Sequence, residues 1–340
     1  MIAESGKLYT SKFWLLCASS FFFFSSFNLI IPELPDFLTE IGGGDHKGLI
    51  IPLFTLMAGI SRPFSGRLTD TIGRIPIILY GAIVCIVVGF VYPLVTTVIG
   101  FFALRVVHGM STGFKPTATS AYVGDIAPVH RRGEAMGILG LFGSLGMAAG
   151  PILGSWIALN YGYNPMFYAS SVLAILSTIV VLNMPETLLI RQQFRMSLMK
   201  LRRKDILEPK AFPAAITMAF TSFAYGEILT IVPDLSKHLG VMNKGVFFAI
   251  FTISSIAIRV VAGKLSDRIG RVPVLMVGCV FQAVALIFLG VSTEVWLFYT
   301  GAFIFGVSTG LTSPAIYAWT IDLADDQYRG RALCHHVYSA

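Results

Sequence analysis

Charge is what this sequence has least of. Asp, Glu, Lys and Arg together make 13% of its 340 residues, about half the share found in soluble domains, while hydrophobic residues make 55%. A water-soluble fold of this length needs a polar skin that such a composition does not supply. No Gly-rich run followed by Lys-Ser or Lys-Thr is present, so nothing cradles a nucleotide phosphate and an ATP-driven pump has no support. The four cysteines, Cys17, Cys85, Cys279 and Cys334, stand singly without metal or redox spacing and read as soft apolar packing. No nucleophile stands with a base, and no His, Asp and Ser cluster at one depth. The chain therefore reads as a non-enzyme with no cofactor and no metal.

Apolar runs of membrane-spanning length are what remain, since a bilayer core of ~30 Å takes about twenty helical residues. They place spans at about 12–32, 48–65, 76–94, 98–122, 134–159 and 165–184, then at about 212–232, 245–263, 272–292 and 295–321. The fold class is thus an all-α membrane protein of about ten transmembrane helices. Lys7 and Lys12 precede a first run of spanning length with no small-residue cleavage site behind it, so it reads as a helix rather than a cleaved leader. Residues 1–184 form one bundle, 185–211 a basic linker, and 212–340 a second bundle of four helices and the start of a fifth.

The basic residues set an orientation. Arg67, Arg74, Arg131, Arg132, Lys264 to Arg271, Arg329 and Arg331 share one side with the amino terminus and with the linker cations Arg191 to Lys210; Lys47, Lys237 and Lys244 are all the opposite loops carry. That side is expected to be cytoplasmic, in the cell (inner) membrane. The positive charge lies in short loops rather than on one face, so it indicates topology and not nucleic acid. The linker charge reads as a topology anchor, with a short amphipathic helix on the inner membrane surface as the alternative.

A shift of 197 positions lays the second half on the first. Arg62, Gly66, Leu68, Asp70, Ile72, Gly73, Arg74, Pro76 and Gly81 fall on Arg259, Gly263, Leu265, Asp267, Ile269, Gly270, Arg271, Pro273 and Gly278. The same shift matches Gly109, Ser111, Thr112 and Gly113 to Gly306, Ser308, Thr309 and Gly310, and Asp125, Arg132 and Gly133 to Asp322, Arg329 and Gly330. Biased composition yields apolar coincidences, not Asp, Arg and Gly at one offset. The halves are a parallel repeat related by an axis along the membrane normal. On this offset the second bundle closes near residue 381, so roughly forty residues, about two spans, are expected beyond Ala340.

The loop after the second span reads Gly66-Arg-Leu-Thr-Asp70-Thr-Ile-Gly73-Arg74, and its copy reads Gly263-Lys-Leu-Ser-Asp267-Arg268-Ile-Gly270-Arg271. Glycines permit a tight turn and close helix approach. Asp70 can accept from a helix amino terminus, and Arg74 can pair with Asp125 on the next loop of that side; Asp267, Arg271 and Asp322 repeat the arrangement. These loops resemble the signature of the major facilitator superfamily, and the resemblance covers the whole chain. It implies two six-helix bundles, a rocker-switch mechanism, and cytoplasmic loops that latch the outward-open state. Thr71 departs from the pattern where the family usually has a basic residue, which implies a weaker first latch. The alternative is that these residues only anchor topology.

The fourth span carries Arg105-Val-Val-His108-Gly109. An arginine inside a span costs at least ~2.5–3.5 kcal/mol at mid-bilayer, so it should face a cavity or a carboxylate, unless it snorkels to the outer interface. The spacing resembles a family motif linked to proton coupling, and Arg105 aligns with Ala302 in the second half. Glu227 in the seventh span is the expected partner, a protonatable group whose affinity for protons Arg105 biases. Glu33, between Pro32 and Pro35, is a second acid, expected to reach the aqueous interface. His108 reads as a proton relay, a hydrogen-bond partner for a substrate, or a packed neutral ring; Asn28 and Tyr225 are substrate contacts, and Lys115 is a deep cation that can snorkel inward.

The fifth span reads Gly137, Gly146, Gly150-Pro151 and Gly154, which resembles the antiporter signature of the superfamily's drug/proton exporters, with Ser155 in place of a final glycine. Small residues one turn apart allow close packing and the proline a kink. The resemblance implies a monomeric, proton-coupled exporter of small apolar or amphiphilic compounds. The alternatives are a sugar or metabolite permease, which needs more polar lining than the stretch Phe21 to Phe27, and a transport-like sensor.

Overall fold

The computed structural model describes residues 8–128, 131–199 and 212–323. Among these, ten helices reach 18 residues or more, numbered here α1 (Ser11–Ile30), α2 (Ile50–Thr71), α3 (Arg74–Val91), α4 (Val98–Ile126), α5 (Arg132–Tyr161), α6 (Tyr163–Leu182), α7 (Phe212–His238), α8 (Gly245–Ile269), α9 (Arg271–Gly290) and α10 (Val295–Leu323). Each falls on one of the ten apolar runs. Eight are long and apolar enough to cross a membrane, and α8, bent by 44° between Arg259 and Val261, makes nine. The other is α4, where Arg105, His108 and Lys115 interrupt the apolar run. With no strand among the described residues, this is an all-helical membrane protein.

The chain forms two compact units, residues 1–201 and 202–340. In the first, α1 packs chiefly on α5 and α6, α2 on α4, and α3 on α4 and α6. In the second, α10 packs on α8 and α9. The ends are set locally. Thr10 caps α1 by accepting from the Phe13 amide at 3.3 Å, and Thr97 caps α4 through Gly100 at 3.2 Å, each satisfying an amide left orphaned at a helix start. Gly73 (φ 134°) and Gly270 (φ 96°) hold the same left-handed turn, between α2 and α3 and between α8 and α9, a conformation that side chains resist.

In the first unit, helices meet through small residues. A Cβ on Gly146, Gly150 or Gly154 would sit 2.4, 2.6 or 1.8 Å from the carbonyl oxygens of Phe21, Ser25 and Leu29, so α5 lies directly on the α1 backbone. Gly137 faces open space and takes no part. Between α1 and α6 two serine pairs clasp reciprocally. Ser19 Oγ donates to the Ser177 carbonyl at 2.8 Å and Ser177 Oγ to that of Ser19 at 2.6 Å. Ser26 and Ser170 repeat this one heptad away, at 2.8 Å each way. Serine in an apolar bundle thus acts as interhelical glue.

Of the linker, residues 185–199 hold a 3₁₀ turn at Met196–Met199 and no α-helix; residues 200–211, Arg329 and the expected fifth helix of the second bundle lie outside the described residues.

Candidate functional site

α4 presents one buried polar edge to the interior of the first unit. Arg105, His108, Ser111, Thr112, Lys115 and Thr119 recur every three or four residues, so helical periodicity puts them on one side, and all are buried. Arg105 is 1% exposed. Its Nε donates to the carbonyl of Ile50, the first residue of α2, at 3.1 Å, and its guanidinium lies 4.5 Å from the centroid of the Phe54 ring. The side chain therefore stays inside the protein rather than snorkelling to the surface, and both groups it touches are neutral.

His108, one turn on, sets its Nε2 3.5 Å from Cys85 Sγ, and Cys85 in turn lies 3.3 Å from Ser26 Oγ. The imidazole meets Phe54 edge-on at 5.5 Å and the Tyr92 ring at 6.0 Å. Lys115 is buried too. Its ammonium donates to Ser19 Oγ at 2.7 Å and lies 5.3 Å from the Phe23 ring, so it does not snorkel inward. The edge of α4 is thus joined to both serine clasps.

Glu33 is overturned as an interface residue, being 5% exposed and taking a 2.7 Å hydrogen bond from Ser155 Oγ. Pro32 and Pro35 break α1 into a 3₁₀ turn and the short helix Leu34–Glu40, and that bend turns the carboxylate toward α5. The hydroxyl that replaces the expected glycine is its donor. Asn28 bonds back to the Phe24 carbonyl at 2.8 Å. In the second unit Glu227 is partly buried on α7, and Tyr225 lies 5.8 Å from Phe251 and 6.5 Å from Phe305, ring to ring.

In the loop between α2 and α3 Arg74 meets Asp125 as its sequence suggests, whereas the amides expected to reach Asp70 go to Glu186. Arg74 pairs with Asp70 at 3.2 Å and, across helices, with Asp125 at 2.9 Å. It also donates to the Thr69 carbonyl at 2.6 Å. Thr71, the departure from the family pattern, turns its hydroxyl back to the Arg67 carbonyl. In the second copy Arg271 pairs with Asp267 and donates to Ser266; Arg268 is exposed, and the Asp322 side chain lies outside the described residues. Gly66 and Gly263 face open space, and Arg132 is exposed beside a cleft of about 210 Å³ lined also by Lys12, Tyr122, Asp125 and Glu186.

Glu186 completes the first loop and was not anticipated. Its carboxylate accepts from the amides of Arg74, Ile75 and Leu188 at 3.0 Å and of Thr187 at 2.9 Å. It thereby caps α3, which begins at a glycine with no capping side chain of its own. Burial alone would raise its pKa, but these four amides outweigh burial and hold the carboxyl below its ordinary value. Thr187 Oγ1 donates to Asp125 at 2.6 Å, so the residues after α6 tie the loop together. An uncapped helix start after Gly73 was the available signal.

Two bundles of this kind, with a matched turn-and-arginine loop in each repeat, define a class of transporter rather than an enzyme. The family model of the Major Facilitator Superfamily matches residues 16–334, and the chain belongs to that superfamily. Among curated relatives, Multidrug resistance protein MdtG of Serratia proteamaculans (strain 568) is 28% identical over 346 residues, covering 95% of this chain and 81% of the relative. Multidrug resistance protein 2 of Bacillus subtilis (strain 168) is 30% identical over 334 residues, covering 93% and 82%. Among solved structures, a D-xylose-proton symporter superposes with a TM-score of 0.76 at 16% identity over 97% of this chain and 86% of that one. A peptide transporter, POT, does so with 0.81 at 15% identity over 96% and 85%. The protein is a multi-pass membrane transporter, and its substrate is a small molecule.

Proposed function

We propose that this chain is a proton-coupled exporter of small apolar or amphiphilic compounds, working as a monomer by alternating access between its two bundles. The observation that carries the reading is Arg105, a buried guanidinium with only neutral contacts, on a helix otherwise built to cross the bilayer, and present in one repeat only. Its cost in a membrane is at least ~2.5–3.5 kcal/mol, an expense that packing alone does not explain. Glu227, an acid partly buried within α7, is the group assigned to carry the proton. Each proton moved through 100 mV supplies ~2.3 kcal/mol for export.

Three further features support export. The relatives named above are multidrug resistance proteins. Gly146, Gly150 and Gly154 lie flush on α1, as the antiporter-like spacing anticipates. Four phenylalanines in a row, Phe21 to Phe24, give α1 an aromatic character that suits apolar substrates better than sugars. The excess of Lys and Arg in one set of loops supports an amino terminus in the cytoplasm and a location in the inner membrane.

The test is dye efflux from vesicles with and without an imposed proton gradient. Glu227→Gln should abolish gradient-driven efflux while leaving the protein inserted; wild-type efflux in that variant removes Glu227 from the mechanism. No flux of any dye or drug by the unaltered protein favours a transport-like sensor.

A further inference from the structure

Of the five buried side-chain polar atoms without a hydrogen-bond partner among the described residues of the first unit, Ser25 Oγ and Thr69 Oγ1 are aliphatic hydroxyls and the other three are Arg105 Nη2, Tyr92 Oη and His108 Nδ1. These three belong to one neighbourhood, since Phe54 takes both the guanidinium and the imidazole against its ring and Tyr92 stands against the imidazole. The surroundings are otherwise apolar; Tyr92 is stacked on Phe167 at 4.8 Å and lies 6.0 Å from Phe101. Orphaned polar atoms in a sealed apolar setting are costly, and three together call for a missing partner.

The chemistry of the three says what that partner is. Arginine and tyrosine present donors, and when the Cys85 thiol donates to His108 Nε2, the imidazole carries its proton on Nδ1 and becomes a third. The acceptors within reach, the Ile50 carbonyl and the tyrosine hydroxyl, are neutral, so what this corner lacks is a negative charge. The repeat supplies a comparison. The offset of 197 puts Leu289, Ala302 and Phe305 at the places of Tyr92, Arg105 and His108, and all three are buried. The polar trio is thus absent as a set in the other bundle, as expected of a site and not of three separate packing choices.

We propose that the first bundle holds a small monovalent anion of chloride size on Arg105, Tyr92 and His108. This shares Arg105 with the proton-coupling reading but requires nothing of Glu227. The anion neutralises the guanidinium within its own unit and ties α4 to the turn after α3.

The test uses the purified full chain in detergent, comparing thermal unfolding in chloride with that in gluconate at constant ionic strength. The melting temperature should climb with the logarithm of chloride concentration, the folding equilibrium gaining about a hundredfold when chloride stands at about a hundred times its dissociation constant. Tyr92→Phe and His108→Phe, each removing one donor, should weaken that response about tenfold. Equal melting in both salts, or an undiminished chloride response in both variants, overturns the site. Where a variant does not fold, crystals of the unaltered protein soaked in bromide decide: an anomalous peak within hydrogen-bond reach of Arg105 Nη2 is expected, and density for water only contradicts it. Glu227→Gln should keep the full chloride response, so loss of proton coupling and loss of the anion site read out separately.

Discussion

The two repeats share a backbone and differ in what they put inside it. A Cβ on Gly109 would lie 2.2 Å from the Phe54 carbonyl oxygen, and one on Gly306 would lie 2.3 Å from that of Phe251, contacts that the offset of 197 maps onto each other. Phe54 meets His108 at 5.5 Å, and Phe251 meets Phe305 at 5.5 Å. Around this common frame the first unit places Arg105, His108, Cys85 and Lys115, and the second places Ala302, Phe305, Gln282 and Thr312. Gln282 is satisfied by the Thr221 carbonyl at 2.9 Å and Thr312 by its own helix. The lesson is that the fold does not need charge at these positions, so charge in the first unit has another purpose.

The comparison can be broken first where it is tightest. Gly109→Ala and Gly306→Ala should each destabilise by about 1–3 kcal/mol, because the facing partner is backbone and gives little way. Gly66→Ala and Gly263→Ala, beside open space, should leave thermal stability in detergent nearly unchanged. Unequal costs at Gly109 and Gly306 would mean that the shared frame is not energetically shared.

Next in size is the polar seam. Phe305→His introduces an imidazole into the apolar copy, where no thiol matches Cys85, and should cost about 1–3 kcal/mol in thermal stability. At the loops, a double-mutant cycle of Arg74→Ala with Asp125→Ala should show coupling of about 1 kcal/mol, since Arg74 is mostly covered and Asp125 is a third exposed. The same cycle on Arg271 and Asp322 asks whether the second copy latches alike.

The smallest effect concerns pH. Glu186 has a depressed folded-state pKa, so the stability it contributes is present above the ordinary carboxylate range and is lost as pH falls through its folded value. Because the group is partly exposed, the loss stays under about 1 kcal/mol. Melting curves followed from pH 7 down to below the ordinary carboxylate range should converge with those of Glu186→Gln as the folded-state value is passed; a constant gap between the two proteins throughout contradicts the cap.

All ten long helices were legible in the sequence, because apolar runs of that length announce themselves, and so were the paired loops, because Asp, Gly and Arg stood out at one offset. The interior was legible only in part. Arg105 was conspicuous by its cost, but Tyr92, Cys85, Ser26 and Ser170 were not, since α1 and α3 are apolar all round and nothing in their periodicity says which way a serine or thiol points. Glu33 was misjudged because two flanking prolines suggest an exposed turn, whereas here they fold the acid inward onto Ser155. Glu186 escaped because its role depends on the chain returning to Gly73 after four more helices.

The most direct measurement is proton-gradient-driven efflux by a protein whose first seam has been rewritten as the second: Tyr92→Leu, Arg105→Ala and His108→Phe together. Replacing all three buried polar groups with the apolar set that the other repeat already accommodates should leave the chain folded and inserted. A proton gradient should no longer drive efflux by this protein. Efflux at the unaltered rate would show that the charge inside the first bundle has no part in transport.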